Sequence, residues 1–334
     1  MAQEWVANPP VNLSSLAGAA DGVAKPYRTF DELVDSLKLN RPPRVAVVAA
    51  ASREVLMGVH LAMQRGLIFP VLVGNVPEIR AIALDIGMDL ARTDVVDEPH
   101  EEEAVRRSIG LVQRGDVQML MKGRVHTHVM LRAILQREST LRTGQLVSLV
   151  IVFQLPGMQR LMLLTDPAVN IKPSLDDKVQ ICRNAIKVAH ALGIAVPRVA
   201  LIAASEAPRA DLPSAVEAAC LAHMAERDAF GRAIVDGPMQ LDAAVSAYVA
   251  SEKGHSGPVA GSADILVLPD IEAANVLVKA LTYFAGADVA GTIVGARVPI
   301  VMQSRVEDPP GRLRSIALAV LMYRQMAPCS QHRQ

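Results

Sequence analysis

The 334-residue chain is poor in rings: one Trp, four Tyr and five Phe make up 3% of it, although 51% of its residues are hydrophobic. Its core must therefore be aliphatic, and the aromatic platforms on which single-stranded nucleic acid stacks are lacking. Charge of one sign is also lacking. Thirty-four Lys and Arg offset 34 Asp and Glu, which argues against the basic stripe of a nucleic-acid partner and the charge excess of a disordered chain. No uninterrupted apolar run exceeds eight residues, far short of the roughly 20 that a membrane-spanning helix needs. The three cysteines (Cys182, Cys220, Cys329) are odd in number and far apart, so they read as reduced thiols of a cytoplasmic protein, not as a disulfide framework. The opening Met1-Ala2-Gln3-Glu4-Trp5 has neither a basic head nor an apolar stretch, and no signal peptide is expected there. The length suggests about two domains, preceded by an irregular Ala-, Pro-, Ser- and Gly-rich arm over the first 25 or so residues.

What is present is a rhythm of amphipathic helices and short aliphatic strands. Thr29-Phe30-Asp31-Glu32 reads as a capping box ahead of Leu33, Val34 and Leu37 at helical spacing. Residues 44–51 read as a buried strand, apolar without alternation, as parallel sheets require. Ser52 can cap a helix that ends at Gly66. The pattern repeats to residue 137, which predicts an α/β fold with parallel strands. It breaks at 146–153 and 159–164, two apolar runs joined by Leu155-Pro156-Gly157-Met158. So short a connection allows only an antiparallel hairpin, and a domain boundary is placed just before it. Alternation then resumes, with helices expected at 175–192, 213–230, 241–252, 271–283 and 312–325 and with strands between them.

Several common signatures are missing. No G-x-G-x-x-G, G-x-x-x-x-G-K-[ST] or G-x-S-x-G occurs, which disfavours the usual dinucleotide, P-loop and α/β-hydrolase chemistries. His126-Thr127-His128 places two histidines at i,i+2, which do not share a helix face, and no metal is expected there.

Ligands of open α/β sheets bind beyond the carboxyl ends of strands, and three polar clusters follow aliphatic runs. They are Lys122-Gly123-Arg124-Val125-His126-Thr127-His128, with Arg132 on the following helix, then Thr165-Asp166-Pro167-Ala168-Val169-Asn170, then Gln303-Ser304-Arg305-Val306-Glu307-Asp308. Together they offer cations, hydroxyls and a helix N-terminus, which suit an anion such as phosphate.

These residues carry a resemblance. Met121-Lys122-Gly123 with His126-Thr127 and Leu131-Arg132, Leu164 to Asn170, Lys178 and Asn184 form its first part. Asp236-Gly237-Pro238, residues 259–269, Ala274-Asn275 with Lys279, and Gly295 to Val301 ahead of Ser304-Arg305 complete it. In this order and spacing the chain resembles the phosphate acetyl/butyryltransferases, closer to the butyryltransferase-like branch, over roughly Arg44 to Tyr323. The resemblance implies reversible transfer of a short-chain acyl group, acetyl or butyryl, between CoA and inorganic phosphate. It further implies direct thiolate attack in a ternary complex, with no metal, no permanently bound cofactor, coenzyme A as a substrate, and a homodimer.

The fold it implies is two α/β domains with a cleft between them, as in isocitrate and isopropylmalate dehydrogenases. The first would comprise 1–145 and 303–334, with an arm at 1–28, and the second, inserted one would comprise 146–302. By the same resemblance Arg305 holds the phosphate, Ser304 bonds the reacting carbonyl, and Arg132 is a second phosphate contact. Lys122, Thr127, Asp166, Asn170 and Asn275 match the pattern as CoA or phosphate contacts or as scaffolding. The acetyltransferase branch carries an Asp seven residues after the serine, where this chain has Gly311. Either Glu307 or Asp308 would then supply the base, with Asp308 favoured, or the thiol loses its proton without one. Two other readings stand beside the transacylase: a non-catalytic protein that binds CoA or acyl phosphate, and an NAD-dependent decarboxylating dehydrogenase of the same fold.

Overall fold

The computed structural model describes residues 25–37, 39–304 and 307–326. The expected N-terminal arm falls almost wholly outside them, as do Cys329 and Arg305.

In the first part of the chain strands β1 (Arg44–Val48), β2 (Phe69–Gly74), β3 (Asp94–Asp97) and β4 (Met119–Lys122) alternate with helices. These are α1 (Phe30–Ser36), α2 (Arg53–Gln64), α3 (Val76–Asp85), α4 (Glu101–Gln113) and α5 (Thr127–Leu135). The strands pair in parallel in the order β3-β2-β1-β4. The expected hairpin is present: β5 (Ser148–Gln154) and β6 (Met162–Thr165) pair antiparallel. Beyond it come α6 (Leu175–Ala191), β7 (Arg198–Ile202), α7 (Pro213–Ala225), β8 (Ile234–Met239), α8 (Leu241–Val245) and α9 (Ala247–Glu252). The chain continues through β9 (Ile265–Val267), α10 (Ile271–Tyr283), β10 (Asp288–Val294), β11 (Ile300–Val301) and α11 (Pro309–Met326).

Among the described residues all eleven strands join one sheet, in the order β3-β2-β1-β4-β11-β10-β5-β6-β9-β7-β8. The two-residue β11 is the splice. It pairs parallel with β4 and antiparallel with β10. Because β10 pairs antiparallel with β5, and β5 with β6, the strands β6, β9, β7 and β8 run opposite to β1–β4. The sheet is thus continuous across residue 146. It is buried between two aliphatic layers, one holding α2, α6 and α11, the other α4, α5 and α8. Residues Ile316 to Leu321 of α11 are all buried, as expected of a helix with no solvent face.

Local rules explain most boundaries, and three details differ from expectation. Thr29 accepts from the Glu32 N–H at 3.1 Å, but the Glu32 carboxylate accepts from Arg28 N–H, so the capping box is only half made. Ser52 occupies the N-cap of α2 yet its hydroxyl donates to Glu54 at 2.7 Å and leaves the helix end uncapped. The helix expected over 241–252 breaks at Ser246, which caps α9 through the Val249 N–H. A full capping box does form at Ser174 and Asp177.

The ends of β1 and β4 are pinned together. Gly123 N–H donates to Val48 O at 2.8 Å and Arg124 N–H to Ala49 O at 2.8 Å. A Cβ on Gly123 would lie 2.3 Å from Val48 O and 2.5 Å from Ala49 O, so only glycine permits this approach. Gly123→Ala should lower the unfolding free energy by about 1–3 kcal/mol, read by urea denaturation; an unchanged midpoint would show that the strand ends are not held by this contact.

Candidate active site

Register decides which of the sequence clusters meet. Val301 stands opposite Met121, so the Lys122 loop and the segment from Gln303 leave the sheet side by side, in the same direction. Val48 stands opposite Lys122, which brings the start of α2 to the same end. A groove of about 350 Å³ lies here, lined by Ser52, Arg53, Glu54, Glu78, Ile82 and Arg124 among others. Lys122 is buried, with Nζ donating to Gly123 O at 3.5 Å. Thr127 opens α5 and is partly buried, while Arg132 lies exposed in its last turn. His126 pairs with Glu101 through Nδ1 at 2.9 Å, and its ring lies tilted by 60° to that of His128, with centroids 5.5 Å apart. Among the described residues no group of three or more His, Cys, Asp and Glu converges as a metal site.

The loop after β11 is tied down from beneath. Ser304 is exposed, and its carbonyl accepts from Glu307 N–H at 3.3 Å and from Arg312 Nη2 at 3.3 Å. Arg312 Nη1 donates to Gln303 Oε1 at 2.9 Å, and Gln303 Nε2 returns a bond to Arg312 O at 3.2 Å. The two acidic candidates are not equivalent. Asp308 is exposed and accepts from the Gly311 N–H at 2.9 Å, which makes it the cap of α11. Glu307 is partly buried, and Ser315 Oγ donates to its Oε1 at 3.4 Å. Burial pushes the Glu307 carboxyl up to about 7, with Arg312, the Ser304 contact, Arg314 and Ser315 pulling the other way. A Cβ at position 311 would lie 2.8 Å from Glu307 Cγ and 2.9 Å from its Oε1; Gly311 leaves the space that Glu307 occupies.

Asp166, Asn170 and Asn275 form a separate cluster. Since β6 runs opposite to β4 and β11, the loop after Thr165 leaves the other end of the sheet, with β5 and β10 between. Asp166 is buried and accepts from the N–H groups of Ala168, Val169 and Asn170, each at 3.1 Å, and from Asn170 Nδ2 at 2.6 Å. Burial raises its pKa while these donors lower it. Asn170 Nδ2 also donates to Val147 O at 2.9 Å, and Asn275 Nδ2 to Pro167 O at 3.1 Å. All three residues thus shape this loop.

Residues 100–320 match the family described as Phosphate acetyl/butaryl transferase. The chain belongs to the phosphate acetyl/butyryltransferase family. It is 41% identical to the phosphate butyryltransferase of Clostridium acetobutylicum over 88% of this chain and 98% of that protein. It is 39% identical to the phosphate acetyltransferase of Rhizobium meliloti over 87% of this chain and 92% of that one. Its fold matches the crystal structure of a branched-chain phosphotransacylase from Enterococcus faecalis V583 with a TM-score of 0.74 and 31% identity, covering 84% of this chain and 99% of the other.

Sequence reasoning placed Gln303 in its polar cluster without a role, and missed Arg312 and Ser315 as parts of this arrangement. One signal was present: Arg312 opens a helix whose later turns, Ile316 to Tyr323, are apolar without a break.

A carboxyl whose pKa rises on folding binds its proton more tightly in the folded state, so it costs stability as pH climbs from 4.5 to about 7. Glu307→Gln removes that cost. The variant's melting temperature minus that of the wild type should increase with pH across this window; a flat difference would mean that Glu307 is solvated.

Proposed function

We propose that this chain is a phosphate acyltransferase that moves a short-chain acyl group, acetyl or butyryl, reversibly between CoA and inorganic phosphate. The observation that carries the reading is the side-by-side placement of the Lys122 and Ser304 loops at neighbouring strand ends in a chain of this family. In the direction of CoA acylation, the thiol loses its proton and the thiolate attacks the carbonyl carbon of acyl phosphate. The carbonyl oxygen takes up negative charge, then the carbon–oxygen bond to phosphate breaks and phosphate leaves. A thiol of pKa about 8.5 is mostly protonated at neutral pH, so a nearby base raises the reactive fraction. Positioning and fixed donors supply the remainder.

In this reading Glu307 takes the thiol proton, since Asp308 is committed to capping α11. A base with a pKa of about 7 is well matched to neutral operation. Ser304 donates to the carbonyl oxygen. Arg305 holds the phosphate, for which a guanidinium fork is better shaped than an ammonium, and Lys122 and Arg132 add positive charge. Thr127 contributes a hydroxyl to the CoA side, and coenzyme A acts as a substrate with no permanent cofactor. Asp166, Asn170 and Asn275 are scaffolding of the second lobe. The two lobes are 1–145 with 303–334, and 146–302, sharing one sheet and leaving the cleft between their outer parts. The site of action is the cytoplasm.

A homodimer completes the proposal, with a second copy on the outer face of α10. Val276 and Tyr283, seven residues apart on one helix face, are 67% and 66% exposed, and Phe284 is 92% exposed. Ile171, also exposed, adjoins the start of this helix through its carbonyl. Contiguous exposed apolar side chains of this kind are the surface that subunit contacts cover. Phe284→Asp should shift the protein to monomer in analytical ultracentrifugation; an unaltered dimer would put the interface elsewhere.

The decisive assay is thiol release from acetyl-, propionyl- and butyryl-CoA with phosphate present and then omitted. Release that depends on phosphate is expected, and its absence with all three would defeat the reading. Arg305→Ala should raise KM for phosphate at least tenfold while KM for CoA stays within about twofold. Equal losses in both would remove Arg305 from the phosphate site.

A further inference from the structure

Arg312 is among the most deeply buried large side chains of the described protein, at 2% exposed. Burying a guanidinium costs several kcal/mol unless charges and acceptors surround it, and here they do. Its two terminal nitrogens donate to Gln303 Oε1 and Ser304 O, while Glu307, Glu54 and Asp308 offset the loss of water. The acceptors lie immediately before and at the proposed catalytic serine. Room for the side chain is made on α2, where a Cβ at Gly58 would sit 2.6 Å from Arg312 Cβ and 3.0 Å from its Cδ. Helices α2 and α11 therefore close directly on the arginine stem and aim its planar head at the loop after β11.

We propose that Arg312 is a positioning residue for acyl transfer: its buried fork holds the Gln303 side chain and the Ser304 carbonyl, and its charge faces Glu307. This rests on the transacylase reading above and adds to it a residue that need not touch substrate. Glu307 is faced by Arg312 and Arg314 from α11 and by the Ser315 hydroxyl. Glu54 of α2 and Asp308 face the same arginine. Loss of the Arg312 charge therefore moves the Glu307 carboxyl further up, since the cation that most opposes the effect of burial is gone. A displacement of the serine by about 1 Å can cost on the order of 100-fold in rate.

Two substitutions separate these roles. Arg312→Lys keeps the charge and loses the fork. It should lower kcat about tenfold, leave KM for CoA within about twofold, and leave the acidic limb of the pH–rate profile in place. Arg312→Met keeps the stem and loses both. It should lower kcat about 100-fold and move the acidic limb upward by about one pH unit or more. Folding of each variant is read by circular dichroism and melting temperature. A folded Met variant with wild-type kcat and limb would overturn the proposal, as would a fall in kcat that only tracks the folded fraction. If the Met variant does not fold, wild-type kcat in the Lys variant overturns it, and a tenfold fall upholds it. Wild-type protein that shows no phosphate-dependent CoA release would instead defeat the transacylase reading, and this inference with it.

Discussion

The two hydrogen-bonded residues of β11 hold the architecture together. Ile300 and Val301 pair with Leu120 and Met121 on one side and with Ile293 and Thr292 on the other. Without that splice, two sets of strands running in opposite senses would each present an open edge, a costly arrangement for aliphatic sheet. With it, the loops that follow β4 and β11 emerge together, and the polar residues at 122–127 share one end of the sheet with Gln303, Ser304, Glu307 and Asp308. The loop holding Asp166 is sent to the other end by the same reversal of direction.

What lies beneath the site is as informative as what lines it. Arg312 turns the start of a buried helix into a donor pair for the loop above. Asp308 ends that loop with a cap. Glu307 folds back over Gly311 into a drier setting. One helix start therefore supplies a brace, a stop and a titratable group within a few residues. The cost of burying charge there is offset by pairing among the groups themselves.

Much of the fold was legible. Apolar runs without alternation marked the parallel strands, and Leu155-Pro156-Gly157-Met158 marked the hairpin, because a short Pro-Gly link can only reverse a chain. Helix ends were read less well. Ser52 looks like a cap but spends its hydroxyl on Glu54, and Ser246 splits what periodicity presents as one helix. Both outcomes depend on which partner comes within reach in three dimensions. At the site, residue types and order pointed to Lys122, Ser304, Glu307 and Asp308. The sequence favoured Asp308 over Glu307, since burial and capping are not visible in a line of letters.

By itself the sequence determined the class of fold, an aliphatic α/β protein, and through its ordered motifs the family. Those follow from local periodicity, turn chemistry and residue order, all of which are properties of neighbouring positions. Only the tertiary structure decided that one sheet runs through both halves, that Asp166, Asn170 and Asn275 build a loop away from Ser304, and that Arg312 reaches Ser304 from below. Each of these depends on strand register and helix packing between segments far apart in the chain, where a shift of one residue would turn every side chain to the other face.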